Sequence, residues 1–184
     1  MLTRDEQHRL LTTARAALEA RVRGETPLAV SAGDRPLIAS GAFVSIHRHG
    51  DLRGCLGRID GDWPLDQLVG DLGADVADAD PRFPPVARGE LPDLDIEISV
   101  LTPAVPVARL EDIEPGRHGL IAEQGGRRGL LLPQVATEHG WDRQALVEHT
   151  CRKAGLPADA WLHGAHLSMF EAQVFTERPR PAEK

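Results

Sequence analysis

Apolar residues near the N-terminus recur at helical spacing: Leu10, Leu11, Ala14, Leu18 and Val22 fall on one face, behind a Thr3/Glu6 capping box. Gly24 and Pro27 end this predicted helix. A second helix is predicted after Trp63, with Pro64 in its first turn and Leu65, Leu68, Val69, Leu72 and Val76 on one side. Its other side carries Asp66, Asp71, Asp75 and Asp78, which reads as a solvated face. Between the helices, GAFVSIHRHGDLRGCLGRI reads as a hairpin. Phe43 to His47 is β-prone, His49-Gly50-Asp51 supplies the turn, and Leu52 to Ile59 returns.

The period of two is clearest in LDIEISVLT. There Leu94, Ile96, Ile98 and Val100 alternate with Asp95, Glu97 and Ser99. HGLIAEQGGRRGLLLP predicts another hairpin, turning at Gln124-Gly125-Gly126. A short helix opens at Pro133 and ends near Gly140, Asp142 caps a further helix that Gly155 terminates, and HLSMFEAQVF closes the chain as a strand. Hairpins interspersed with helices predict an α+β fold, a compact domain of mainly antiparallel sheet with packed helices plus a smaller sub-lobe. Residues 103–116 form the longest irregular stretch and are the expected join between the lobes.

Composition narrows the function classes. The chain has 184 residues, enough for one domain with a smaller lobe, and 41% of them are hydrophobic. No apolar run approaches the roughly 18 residues of a membrane span, so no membrane role is expected and cytoplasm is the default location. The formal net charge is −7, and the only lysines are Lys153 and Lys184. The Arg127–Arg128 pair and the RPRP tail are too short for a basic stripe, which argues against nucleic acid. Cys55 and Cys151 are the only cysteines. Without a CxxC there is no zinc ribbon, thioredoxin-type centre or iron–sulfur cluster to expect.

Candidate chemistry centres on DLRGCLGRID. Strand alternation puts Arg53, Cys55 and Gly57 on one face and Leu52, Gly54 and Leu56 on the other. An arginine near a thiol favours the reactive thiolate, and glycines leave bare backbone N–H groups that could face an oxyanion. A nucleophile needs a base, and His47 and His118 are candidates. The competing reading makes Cys55 a small packing residue and Arg53 a surface charge. His47 and His49 share a strand face, but two imidazoles lack the third ligand a metal site needs, so no metal is assigned. Arg82, stiffened by Pro81, Pro84 and Pro85, is placed either to present its fork to an anion or to brace its loop. Cys151 and His149 do not share a helical face, and Cys151 reads as core.

Taken together, LRGCLG, DPRFPP followed by ELPDLDIEISVLTP, GRRGLLLPQVATEHGWD and HTCRKAGLPADAW resemble one family, the AMMECR-one domain family. The resemblance runs from about Leu10 to Glu177, so a single domain of this type fills the chain. Its prokaryotic members are known as protein A of the AmmeMemoRadiSam system. It implies a pathway shared with a Memo-type protein and a radical SAM protein, and it assigns neither a reaction nor a cofactor. The hallmark LRGC(I/L)G maps onto Leu52 to Gly57, with Leu56 in place of the commoner Ile, and the RFPP element maps onto Arg82 to Pro85. Two expectations follow. In one, Cys55 is an activated thiolate, His47 or His118 its base, and Arg53, Gly54, Gly57 and Arg82 bind a small anionic substrate. In the other, the chain is a non-catalytic partner that delivers or shields an intermediate for the two companion proteins.

Overall fold

The computed structural model describes residues 1–26 and 37–178. Pro27, expected to stop the first helix, and the tail beyond Arg178 lie outside them. The chain divides into two compact units, Met1–Val100 with Gln173–Lys184, and Leu101–Ala172. Both are built of antiparallel strands and helices, the expected α+β class.

In the first unit, α1 spans Arg4–Arg23. The Thr3/Glu6 capping box closes its N-terminus, and Gly24, at φ +71°, closes its C-terminus. Strands β1 (Ile38–Arg48) and β2 (Asp51–Pro64) form a hairpin longer at both ends than the sequence suggests. It turns at His49 and Gly50, both with positive φ. Helix α2 (Leu65–Asp75) follows directly, and β3 (Leu94–Leu101) pairs with the free side of β1. The end of the last strand lies beside β3, where the Glu177 N–H donates to the Ile96 carbonyl.

One face of this sheet carries Ala42, Val44, Ile46, Leu94, Ile96 and Ile98, which meet Leu10, Leu18, Leu68 and Leu72 of the two helices in a single apolar core. The register places Phe43, Ser45 and His47 on the opposite face, beside Gly57 and Cys55 of β2 and Ser99, Glu97 and Asp95 of β3.

The acidic side of α2 meets solvent at Asp71 and Asp75, 46% and 43% exposed, but its carboxylates are also paired with arginines. Arg9 pairs with Asp66 at 2.9 Å and Arg21 with Asp78 at 2.9 Å, both from α1, while Arg58 of β2 reaches Asp71 and Asp75 at 3.3 and 3.4 Å. Periodicity shows which side is polar but not that another helix brings arginines to it. The two helices approach closely at Gly73, where a Cβ would lie 2.7 Å from the Ala14 carbonyl oxygen.

In the second unit, β7 (His166–Thr176) is the central strand. It pairs with the two-residue β4 (Val105–Pro106) on one side and with β5 (His118–Gln124) on the other, and β6 (Arg127–Leu131) completes the hairpin at Gly125-Gly126. Helices α3 (Pro133–Glu138) and α4 (Arg143–Lys153, capped by Asp142) bury Ala136, Leu146 and Val147 against Ile113 and Leu120. Residues 103–116 lie within this unit, so they do not form a free-standing link. They contain β4 and a 3₁₀ turn at Leu110–Asp112, pieces too short to show a period in sequence.

Two glycines of α2 should therefore respond in opposite directions. Gly70 has only an ordinary 3.6 Å contact with the Thr13 methyl carbon for an added Cβ. Gly70→Ala is expected to stabilise the protein by about 0.5–1 kcal/mol through helix propensity. Gly73→Ala should destabilise it by about 1–3 kcal/mol because the neighbouring α1 backbone must move. Urea unfolding of the two variants beside wild type measures both.

Candidate functional site

Cys55 lies mid-way along β2, opposite Ser45 of β1, and Ser45 in turn faces Glu97 of β3. The three make one row across the sheet, on the face turned away from the apolar core. His47 and Asp95 make the next row, and Phe43 and Ser99 lie on the other side with Gly57.

β2 stands at the end of the strand order, so half of its backbone groups face away from β1. At Cys55 those groups are taken by side chains. Its N–H donates to Asp80 Oδ2 at 2.9 Å, and its carbonyl accepts from Arg82 Nη2 at 3.2 Å. Both bonds point away from β1. Ser45 and Cys55 are therefore a non-hydrogen-bonded pair, the geometry that brings facing side chains closest. The Cys55 N–H is thereby occupied by the Asp80 carboxylate.

Asp80 is the centre of this arrangement and is only 4% exposed. Besides the Cys55 N–H, its Oδ1 accepts from the Arg82 backbone N–H at 3.1 Å and from Arg82 Nε at 2.9 Å, while Oδ2 accepts from Arg82 Nη2 at 2.7 Å. The Arg82 guanidinium holds the Asp80 carboxyl well below the usual carboxylate range. Burial opposes this and the two backbone N–H groups reinforce it. The same pairing raises Arg82.

Arg53 serves a second tie between β2 and the same loop. It grips Glu90 in a two-pronged ion pair, Nε to Oε1 at 2.9 Å and Nη2 to Oε2 at 3.1 Å, and donates to the Pro84 carbonyl at 2.9 Å. Arg53 holds Glu90 below its ordinary range, against the effect of burial. Arg53 thus spends most of its donors on residues 84–90, while Arg82 commits its Nε and Nη2 to Asp80 and the Cys55 carbonyl.

The hallmark glycines answer to packing. Gly54 is buried on the core face, where a Cβ would meet Val76 and Ile46 at 3.2 Å. Gly57 is exposed, but the Phe43 ring covers its Cα, and a Cβ would come within 2.2 Å of that ring. Gly54 therefore offers a substrate no surface, a correction to its expected binding role that follows from which face it occupies.

His47 is buried on the sheet face that bears Cys55. His49 is exposed at the turn with φ 53°, its Nε2 3.8 Å from Asp93. Among the described residues, no three His, Cys, Asp or Glu side chains are placed to hold a metal. His118 belongs to the other unit, where its Nδ1 accepts from the Glu114 N–H at 3.0 Å and its Nε2 lies 3.9 Å from Glu171. Cys151 is fully buried among Ala122, Leu156 and Ala160, and burial pushes its thiol up, as a core cysteine requires.

The AMMECR1 family model matches residues 11–175. This chain belongs to the AMMECR1 family. A Methanothermobacter thermautotrophicus protein is 42% identical to it, the match spanning 96% of each chain. Protein MJ0810 of Methanocaldococcus jannaschii is 40% identical over 96% of this chain and 92% of its own length. The crystal structure of uncharacterized protein PH0010 from Pyrococcus horikoshii superposes with a TM-score of 0.83 at 37% identity, covering 92% of this chain and 90% of that one. The AMMECR1 motifs LRGC(I/L)G and RFPP are thus the two sides of one hydrogen-bonded contact.

Sequence reading missed Asp80, Glu90 and Ser45. A signal existed for Asp80: an acid two residues before an arginine on a proline-stiffened loop can fold back on it. Nothing local marks Glu90 or Ser45, since their roles come from register and from the return of the chain.

Asp80→Ala should cost about 1–3 kcal/mol, because it leaves the part-buried Cys55 N–H without its acceptor and removes the partner of the half-exposed Arg82 guanidinium. Asp80 and Glu90 both have depressed carboxyls in the folded state. Their contribution is complete above the unfolded values of about 3.9 and 4.3, and it fades as pH falls through the lower folded values. The Asp80→Ala deficit measured by urea unfolding at pH 7 should shrink as the pH is lowered below about 4.

Proposed function

We propose that this AMMECR1 protein is a thiol-dependent enzyme in which Cys55 is the nucleophile. One observation carries the reading: the guanidinium of Arg82 bonds the Cys55 carbonyl, which brings a positive charge beside the cysteine, while the Cys55 backbone is held at both its N–H and its C=O. A positive charge beside a cysteine favours attack by the anionic form and stabilises negative charge on a bound electrophile. Holding the backbone fixes the direction of that attack.

Support for a small anionic substrate comes from Arg82, whose side chain is 56% exposed, and not from Arg53, which is only 14% exposed and engaged with Glu90. Of the two histidines expected as base, His47 shares the sheet face of Cys55 and is the better placed within the unit. A role as a non-catalytic partner of a Memo-type and a radical SAM protein has the family resemblance as its support.

The test is alkylation of the native protein by iodoacetamide, read site by site by mass spectrometry, with buried Cys151 as internal control. Cys55 is expected to react to completion while Cys151 stays unmodified, and Cys55→Ser should abolish the label. Protection of both cysteines until the protein unfolds would sink nucleophilic catalysis and leave the partner role standing.

A further inference from the structure

Asp80 touches neither the sulfur nor any surface open to a ligand, yet its carboxylate contacts both groups that define the Cys55 site. One oxygen holds the cysteine N–H, and both oxygens hold the arginine whose Nη2 reaches the cysteine carbonyl. Arg82 itself is 56% exposed on a long side chain. Without a fixed partner such a side chain samples many rotamers, and its fork has no reason to stay at the Cys55 carbonyl.

A buried carboxylate is also an expensive way merely to join a strand to a loop, since an apolar contact of the same volume would do so without desolvating a charge. Arg53 and Glu90 already supply a second tie between the two elements. We infer that Asp80 is a positioning residue for the Cys55 thiol, setting its reactivity by orienting Arg82 and by fixing the cysteine backbone. This rests on the proposed role of Cys55, but it makes a separate claim about which residue controls that role.

The two ways Asp80 could act on the thiol have opposite signs. As a simple nearby negative charge, Asp80 opposes formation of an anion on sulfur, so neutralising it would speed alkylation. As the holder of Arg82, its loss releases the favourable charge, and alkylation slows. A brace with no bearing on the thiol would leave the folded-state rate unchanged.

The experiment compares second-order rates of Cys55 alkylation by iodoacetamide in wild type, Asp80→Asn, Arg82→Lys and the double variant. In this reaction sulfur displaces iodide, an S–C bond forms, iodide leaves and the thiol proton passes to buffer. Circular dichroism and protection of Cys151 report that each variant is folded. Asp80→Asn keeps an oxygen for the Cys55 N–H but loses the paired grip on Arg82, so its rate should fall roughly fivefold, the scale of one partly exposed charge contact. Arg82→Lys keeps the charge but cannot make the two-pronged bond, and it should fall by a similar factor. The double variant should be no slower than either single one, because all three remove the same arrangement.

A faster or unchanged Asp80→Asn rate overturns the inference while leaving a reactive wild-type Cys55 intact. An inert wild-type Cys55 instead defeats the underlying reading. Should Asp80→Asn fail to fold, the Arg82→Lys comparison still decides, because an unchanged rate there removes the arginine through which Asp80 acts.

Discussion

A carboxylate that is 4% exposed, with an arginine and two backbone N–H groups around it, is the constraint on which the rest of the first unit depends. Asp80 fastens the outer side of β2 to the loop that follows α2. That loop leads the chain to Glu90 and then into β3, which pairs with β1 on the far side of the hairpin. One polar contact thus closes the circuit strand, strand, helix, loop, strand. The edge of β2 at Cys55 is capped by side chains, which leaves no bare ladder there for another chain to extend.

The apolar core asks for less specificity than this polar contact does. Leu, Ile, Val and Ala of α1, α2, β1 and β3 fill it, and volume-conserving exchanges among such residues are generally tolerated. The exceptions are positions where backbone approaches backbone or ring. Gly73 admits the Ala14 turn of α1, Gly54 admits Val76 at the end of α2, and Gly57 lies under Phe43. Two of these three glycines belong to the LRGCLG motif. That motif is in large part a packing motif, with the side chains of Arg53 and Cys55 turned away from the core.

The second unit follows the same logic with different means. Gly129 allows the Lys153–Ala154 backbone against β6, since a Cβ there would lie 2.2 Å from the Ala154 nitrogen. Trp141 is stacked between His139 and His149, with ring centroids 4.7 and 3.9 Å away, which fixes the start of α4 against the preceding turn. Trp141 is thus held by two imidazole rings as well as by the apolar cluster around Leu146.

Much of this was legible in the sequence. The helical periods of α1 and α2, the capping residues Thr3 and Asp142, the alternation of β3 and the glycine turns at 50 and 125–126 are local properties, set by backbone sterics and by which residues prefer water. The same alternation placed Gly54 and Leu56 toward the core and Cys55 and Gly57 away from it, but a register shift between Ile46 and His47 sets Leu52 opposite His47, and Leu52 is exposed. What tertiary structure alone decided is who meets whom. Arg53 looked like a ligand-binding arginine until Glu90, 37 residues on, took its fork; Arg82 is anchored by Asp80 yet keeps its side chain 56% exposed. Hydrophobic pattern has a period and can be read from a few neighbours. A charge has no period, and its meaning waits for the partner that the fold delivers.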